Sequence, residues 1–247
     1  MGVLEWIRHC NVPWSKMVTY PCIVVDYRPE KDEPWRTRIT AGGNLLQYNG
    51  ITTARTASME TIKCQINSII SDKNARAATA DISNMYLCSD LPESEYVRFH
   101  RSTIPQSIID KYNIEFDGDY AYAKINKAWY GLKQAGKIAH DDIVKRLEAA
   151  GYIKSNLIEG YFSHKSRPIS FTLVVDDFLI KYHRDEDLAH LMSTLRKHYT
   201  VKCDTKADQY IGINLKWDYD NWTCVLVMDG FIEQALCELK HPAPLLP

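Results

Sequence analysis

The spacing of hydrophobic residues switches between two-residue and three-to-four-residue periods along the chain. Residues 22–27 form a β-branched run and residues 35–40 alternate, with two prolines in the polar segment between them. This pattern predicts a β-hairpin with its turn at residues 28–34. A helix beginning near Thr56 is then predicted by apolar residues at helical spacing, namely Met59, Ile62, Ile66 and Ile69.

The rest of the chain continues with the same two periods. Residues 76–87 are typical of a strand centred on Asp81, whereas residues 89–119 are the most irregular region and are expected to be an excursion from the main sheet. Helices are predicted at residues 137–150, 185–199 and 231–239, and strands at 157–163 and 169–182, the latter bending into a hairpin at Asp176 and Asp177. A further hairpin is predicted from strands at 209–217 and 222–228. Gly151 stands where a left-handed helix cap would fall. Strands and helices that alternate in this way, with antiparallel hairpins, predict an α+β layer structure.

Composition narrows the classes of function. The 247 residues are 45% apolar and 25% charged, as in a typical globular protein. No apolar run approaches the ~20 residues of a membrane span, and residues 1–11 lack the plan of a signal peptide, so we expect a cytoplasmic protein with no membrane partner. The seven cysteines and eight histidines are scattered without zinc spacing, so a metal would have to be held by carboxylates.

Charge is unevenly distributed, although the net charge is only −1. Residues 35–59 contain no acid and three arginines, Arg36, Arg38 and Arg55. Residues 121–138 contain no acid and four lysines, interleaved with Tyr122, Trp129 and Tyr130: Lys124, Lys127, Lys133 and Lys137. This mixture suits phosphate contact and base stacking. A solvated lysine face over buried aromatic side chains is the alternative, and both interpretations stay open.

Three aspartates lie in apolar strand contexts. Asp176 and Asp177 interrupt the run V-V-D-D-F-L, where buried charge is costly unless a cation compensates it. At a tight bend both carboxylates could approach one Mg²⁺ ion, although an exposed turn would also explain them. Asp81 stands in a second apolar strand, A-A-T-A-D-I, and could join Asp176 in bridging two ions ~3.5–4 Å apart. A capping or turn acid is the alternative for Asp81.

Four motifs occur together and in a fixed order. They are D-I-S-N-M-Y-L from Asp81, W-Y-G-L-K-Q-A from Trp129, V-V-D-D from Val174 and Y-I-G-I from Tyr210. In this combination the chain closely resembles the reverse transcriptases of copia-type LTR retrotransposons, over residues 18–239.

This resemblance implies the right-hand polymerase fold, in which the palm is an antiparallel sheet backed by helices. It divides the chain into an N-terminal extension (1–17), fingers (18–56 and 91–137), palm (57–90 and 138–220), and the start of a thumb with an off-family tail (221–247). The chain is accordingly expected to be a fragment or decayed copy of a longer polyprotein, acting in the cytoplasm or within virus-like particles.

The resemblance also implies the chemistry of DNA synthesis. Asp81 and Asp176 would hold two Mg²⁺ ions, for which Mn²⁺ could substitute, and Asp177 would support the same metal site. The partners would be an RNA or DNA template with its primer, and deoxynucleoside triphosphates. Pyrophosphate would leave as the primer 3′-hydroxyl attacks the α-phosphorus.

Four further residues match substrate contacts of the family. Arg36 and Arg38 would bind the triphosphate, since a guanidinium fork suits phosphate oxygens. Tyr86 would lie under the sugar and exclude a 2′-hydroxyl, although a buried sheet aromatic is the alternative. Gln134 would line the nucleotide pocket, where Gly131 permits a close backbone approach.

The chain departs from the family pattern at three positions. Val174 replaces the usual aromatic before V-D-D, Gly136 the usual proline, and Ala139 the usual tryptophan. The sequence therefore leaves two main hypotheses, a polymerase core that copies RNA and DNA, or an idle retrotransposon-derived module that at most binds nucleic acid. A magnesium-dependent nuclease or phosphatase is a weaker third. Oligomeric state is not determined by the sequence.

Overall fold

The structure is a computed structural model that describes residues 2–27 and 33–239. Most of the predicted turn at 28–34, and the tail at 240–247, lie outside the described residues. The strands are β1 Leu4–Ile7, β2 Val18–Thr19, β3 Pro21–Tyr27, β4 Trp35–Ala41, β5 Arg76–Ser83, β6 Asp90–His100, β7 Tyr120–Lys127, β8 Tyr152–Lys154, β9 Tyr161–His164, β10 Ile169–Val174, β11 Asp177–Tyr182, β12 Thr200–Asp204, β13 Gln209–Tyr210, β14 Ile213–Asp218 and β15 Thr223–Val227. The α-helices are α1 Met59–Ile70, α2 Gln106–Tyr112, α3 Ala135–Ala149, α4 Asp185–Arg196 and α5 Asp229–Glu238. None of these helices is both long enough and apolar enough to cross a membrane.

The chain divides into two compact units, each made of two chain segments. The first unit is Met1–Ala54 with Asn84–Lys145, and the second is Arg55–Ser83 with Arg146–Pro247. Each combines β-sheets with helices, so the predicted α+β class is confirmed.

The first unit contains a four-stranded sheet of order β1-β7-β6-β2 and a separate ribbon of β3 and β4. Val97, Ala123 and Ile125 are fully buried at the centre of its core. The region at 89–119 is more regular than the sequence suggested, because β6 is an 11-residue strand and α2 follows it. Pro92 fits in β6 because the strand pairing is irregular between Asp90 and Glu95.

The second unit contains a six-stranded sheet of order β12-β5-β11-β10-β9-β8 and a three-stranded sheet of β13, β14 and β15. Strand β5 pairs with β11 on one side and β12 on the other, all antiparallel. The centre of the large sheet is packed with aromatic side chains, since the ring centroids of Phe162 and Phe178 lie 5.1 Å from that of Phe171. Helix α1 packs through Ile62 and Ile66 against Leu179.

All four predicted helices are present, with small shifts at their ends. Helix α1 starts at Met59 because the Ser58 hydroxyl caps it by accepting a hydrogen bond from the Thr61 N–H at 3.3 Å. Helix α3 ends as expected, with Gly151 at φ +94°. The hairpin predicted around residues 169–182 is β10 and β11, and β14 and β15 form the predicted C-terminal hairpin.

Candidate active site

The turn between β10 and β11 presents the paired aspartates. Val174 pairs with Asp177, so Val175 and Asp176 are the two central residues of a tight hairpin turn. Val175 has φ +57°, whereas Asp176 is not among the residues with positive φ. This is the φ pattern of a type II′ turn, which normally has glycine first, so the β-branched Val175 is in a strained conformation. The strained turn places Asp176 at the bend and Asp177 at the start of β11.

Strand β5 brings Asp81 to the same place. Asp81 is the cross-strand partner of Asp177, and side chains so paired lie on the same face of a sheet. The Ile82 N–H donates to the Asp176 carbonyl oxygen at 3.0 Å, which extends the β5–β11 pairing into the turn. All three aspartates are partly buried and line one cavity of about 670 Å³. Residues 95 positions apart in the chain (176 − 81) thus meet within one unit.

The electrostatics of this cavity favour a cation. Burial, and the negative charges of Asp176 and Asp81, raise the pKa of Asp177 to about 6. The donor chemistry fits a hard divalent ion, because all three side chains are carboxylates. The three carboxylates do not form a metal-binding arrangement, however. Residues 2–27 and 33–239 contain no group of three or more His, Cys, Asp or Glu side chains that could hold a metal ion. Metal binding at these aspartates therefore stays a prediction.

Two further side chains of this cavity were not identified from the sequence. Lys202 of β12 is the cross-strand partner of Asp81 on the side opposite Asp177, so Asp81 lies between a carboxylate and an ammonium. The Tyr210 hydroxyl donates to the Asp177 carbonyl oxygen at 3.4 Å and lies 3.4 Å from the Thr172 hydroxyl. Burial raises the pKa of Tyr210. Tyr210 begins the Y-I-G-I motif, but the motif alone gives it no role. Nothing in the sequence indicates that the strand of Lys202 pairs with the strand of Asp81.

The residues predicted to contact the nucleotide all belong to the first unit. Tyr86 lies in a 3₁₀ turn, Met85–Cys88, and not on a strand as the alternative interpretation required. Its ring stacks on that of Tyr130, with centroids 4.9 Å apart and planes 23° from parallel. Both belong to conspicuous motifs of the sequence.

Gln134 is buried, and its side-chain amide is engaged. Its exposed fraction is 4%, and Nε2 donates to Oε1 of Glu95 at 3.3 Å. Burial raises the pKa of Glu95, and the charge of Lys16 and the hydrogen bond from Gln134 partly offset this rise. Gln134 therefore anchors a buried polar pair within the first unit, and its place in a nucleotide pocket stays a prediction.

Arg36 and Arg38 are two residues apart on β4 and therefore share one face of the β3–β4 ribbon. The strand is fixed to the Y-G-L-K-Q-A segment, because the Ala41 N–H donates to the Tyr130 carbonyl oxygen at 2.7 Å. Gly131 has φ +93°, and a Cβ there would lie 2.1 Å from the Ala41 carbonyl oxygen. The close approach that requires Gly131 is thus one between two backbone segments, and no nucleotide is needed to explain it.

The four lysines of residues 121–138 have partners. Lys124 and Lys127 pair with Glu5 and Asp90 at 4.0 and 2.6 Å, Lys137 pairs with Asp141, and Lys133 donates to the Leu46 carbonyl oxygen at 2.8 Å. Trp129 and Tyr122 are buried, with exposed fractions of 5% and 8%. The structure therefore favours the solvated lysine face, because acids from outside the segment supply the missing negative charge.

Comparison with known proteins gives the class of this chain. A family model described as reverse transcriptase (RNA-dependent DNA polymerase) matches residues 36–239. The chain belongs to this family.

Its curated relatives come from retrotransposons. The chain is 26% identical over 160 residues to the putative transposon Ty5-1 protein of Saccharomyces cerevisiae, covering 64% of this chain and 48% of that protein. It is 25% and 26% identical over 187 residues to the retrovirus-related Pol polyproteins from transposons RE2 and RE1 of Arabidopsis thaliana, covering 74% of this chain and 12% of each polyprotein. The copia-type resemblance is confirmed, and the chain spans about half or less of the length of these relatives.

One solved structure that resembles this chain is the foamy viral protease-reverse transcriptase in complex with double-stranded DNA. The TM-score is 0.48 at 12% identity, covering 99% of this chain and 35% of that chain.

Proposed function

We propose that this chain is the core of an RNA- and DNA-templated DNA polymerase, encoded in a copia-type retrotransposon polyprotein, that extends a primer by two-metal nucleotidyl transfer. The observation that carries the proposal is the meeting of Asp81, Asp176 and Asp177 in one cavity of the second unit. Membership of the reverse transcriptase family supports the same reaction.

The division into units supports an assignment of polymerase parts. We assign the palm to residues 57–90 and 138–220 and the fingers to residues 18–56 and 91–137, with the start of the thumb from residue 221. The chain passes from one unit to the other at Ala54/Arg55, Ser83/Asn84 and Lys145/Arg146. Each of these positions is within eight residues of the assigned limit between palm and fingers. The six-stranded antiparallel sheet is then the palm sheet, and the β3–β4 ribbon belongs to the fingers.

In this proposal the residues around the cavity have different roles in catalysis. Carboxylate oxygens of Asp81 and Asp176 would hold the divalent ions, and Asp177 would add negative charge beside them. When bound, such ions lower the pKa of the primer 3′-hydroxyl and neutralise charge on the triphosphate. The backbone at the turn is fixed, since Ile82 and Tyr210 donate to the carbonyl oxygens of Asp176 and Asp177. Preorganisation of this kind limits the reorganisation needed at the moment of reaction.

The first unit would supply the substrate contacts. Arg36 and Arg38, on one face of their strand, bind the triphosphate oxygens, and Tyr86 closes the space beside the sugar 2′-position. Gln134 shapes the wall of the nucleotide pocket from its buried pair with Glu95. These roles are the ones that the resemblance to copia-type reverse transcriptases implies, and membership of the family supports them.

A primer-extension assay tests the proposal. The parent chain, given a primed homopolymer RNA, deoxynucleotides and Mg²⁺ or Mn²⁺, is expected to extend the primer. Asp176→Asn should abolish extension, because it removes one negative charge from the site with almost no change in volume. The matched control is Asp119→Asn, an exposed aspartate of the first unit, which should retain activity.

The same assay separates the other two hypotheses. Absence of extension with either ion, together with retained binding of primed template, would replace the polymerase by the idle binding module. Shortening of the labelled primer or template in place of extension would indicate a nuclease.

A further inference from the structure

The first turn of α3 lacks a side chain at the point where Tyr86 reaches it. Gly136 is the second residue of this helix, and a Cβ built there would lie 3.2 Å from the Tyr86 hydroxyl oxygen. The next nearest atom, the ring carbon Cζ of Tyr86, would lie at 3.7 Å, which is ordinary van der Waals contact. Only the hydroxyl oxygen is therefore closer to this position than a methyl group allows.

The Tyr86 ring is thus bounded in two directions. Tyr130 stacks against its face at 4.9 Å between centroids, and the backbone of Gly136 bounds its hydroxyl end. Tyr86 is only partly buried, but it is in contact on these two sides, so a group added at Gly136 presses directly on its hydroxyl. A methyl group at Gly136 would require the hydroxyl to give by a few tenths of an ångström.

We propose that Gly136 is a positioning residue for sugar selection, because it seats the Tyr86 hydroxyl and thereby fixes where the ring stands. The inference rests on the proposed function, in which Tyr86 excludes the 2′-hydroxyl. It also bears on one departure noted in the sequence, because the proline usual at this position carries a Cβ, from which the Tyr86 hydroxyl would have to move by a few tenths of an ångström.

Steric exclusion makes such a small shift measurable. Repulsion rises steeply within a few tenths of an ångström of contact, and loss of fit changes the rate for the wrong substrate more than for the right one. The effect should depend on the hydroxyl alone. In a Tyr86→Phe background the nearest remaining ring atom is at contact distance, so Gly136→Ala should be silent there.

The first experiment measures ribonucleotide against deoxynucleotide incorporation by four forms: the parent, Gly136→Ala, Tyr86→Phe and the double variant. Gly136→Ala is expected to change the ratio of kcat/KM values for the two sugars by about threefold or more from the parent. The double variant should match Tyr86→Phe. An unchanged ratio in Gly136→Ala, or the same change in both backgrounds, would overturn the proposal.

The matched control is Gly230→Ala. Gly230 is also the second residue of its helix, α5, but among the atoms that the structure describes a Cβ there would have none within 4 Å. Gly230→Ala raises helix propensity as Gly136→Ala does, but it has no contact with Tyr86. Its ratio of ribonucleotide to deoxynucleotide incorporation should therefore equal that of the parent. A shifted ratio in Gly230→Ala would mean that helix propensity, and not the seat of Tyr86, controls the readout.

A second measurement does not need activity. The thermal unfolding midpoints of the same four forms make a double-mutant cycle, in which Gly136→Ala should raise the midpoint more in the Tyr86→Phe background than in the parent. Equal effects would overturn the seating contact itself. A parent that extends no primer would overturn the proposed function and the selectivity role with it, and the cycle would still decide the contact, so the two failures are distinguishable.

Discussion

Gly131 offers the sharpest test of how the Y-G-L-K-Q-A segment is used. Gly131→Ala adds a methyl group whose carbon would start 2.1 Å from the Ala41 carbonyl oxygen and 2.9 Å from the Ala41 nitrogen. Ordinary contact begins near 3.4 Å, so one backbone segment must move by about 1 Å or more. The displaced segment is the end of β4, the strand that carries Arg36 and Arg38.

The cost has two parts that can be separated. The φ of +93° at Gly131 is a conformation that L residues rarely adopt, worth about 1–2 kcal/mol for alanine. The backbone overlap adds the cost of overpacking, about 1–3 kcal/mol. Gly118→Ala is the matched control, because Gly118 has φ +59° in the same unit and no atom of residues 2–27 or 33–239 lies within 4 Å of its Cβ position. It should show the first part alone.

Chemical denaturation of the two variants measures both parts. Gly131→Ala is expected to lower the unfolding free energy by about 2–5 kcal/mol, a large part of the stability of a typical domain. Gly118→Ala should lose about 1–2 kcal/mol. Equal losses in the two variants would refute the reasoning, because the contact with Ala41 would then contribute nothing.

Four other outcomes are expected. Val175→Gly should raise the unfolding free energy by about 1 kcal/mol, measured by denaturation, since it relieves the positive φ of a β-branched residue; no gain would mean that the turn is unstrained. Tyr86→Ala should admit ribonucleotides in primer extension, and a ribo-to-deoxynucleotide ratio equal to that of the parent would return Tyr86 to a packing role. Hydrogen bonds from Arg184 and Arg167 lower the pKa of the buried Asp187. Its contribution to stability is therefore present above the unfolded pKa of about 3.9 and is lost as the pH falls through the lower folded pKa. Asp187→Asn should flatten the acid limb of a plot of unfolding free energy against pH, and an unchanged limb would contradict this. Lys127→Ser should leave the salt dependence of primed-template binding unchanged, because Lys127 already pairs with Asp90, and a slope shallower by about 0.9 would show that it contacts phosphate.

Local patterns in the sequence were sufficient for the hairpin that carries the aspartates. The hairpin of β10 and β11 can be recognised because two charged residues interrupt an apolar run. The end of α3 can be recognised because a glycine, Gly151, follows the helical spacing of apolar residues. The order of the four motifs is sufficient to identify the family. Asp81, Asp176 and Asp177 are predicted from their apolar strand contexts and from those motifs, and they meet in one cavity.

Other features depend on pairings that no local pattern contains. Lys202 reaches the cavity because β12 pairs with β5 across more than one hundred residues. The lysines near residue 127 are neutralised by acids such as Glu5, which lies far away in the chain. Strand β6 was overlooked because Pro92 signals a break unless the irregular pairing beside it is known.

The interleaved segments of the two units have a consequence for synthesis on the ribosome. Both segments of the first unit have been made once Lys145 is added, whereas β5 of the second unit still lacks β11 and β12, its two neighbours. In a nascent chain of that length, β5 has both edges unpaired, and most of its residues are ones that are buried in the folded protein. Such an exposed strand is a template for aggregation. Contacts of such long sequence separation also form slowly. Efficient production of this protein should therefore depend on protection of residues 76–83 until the rest of the sheet emerges.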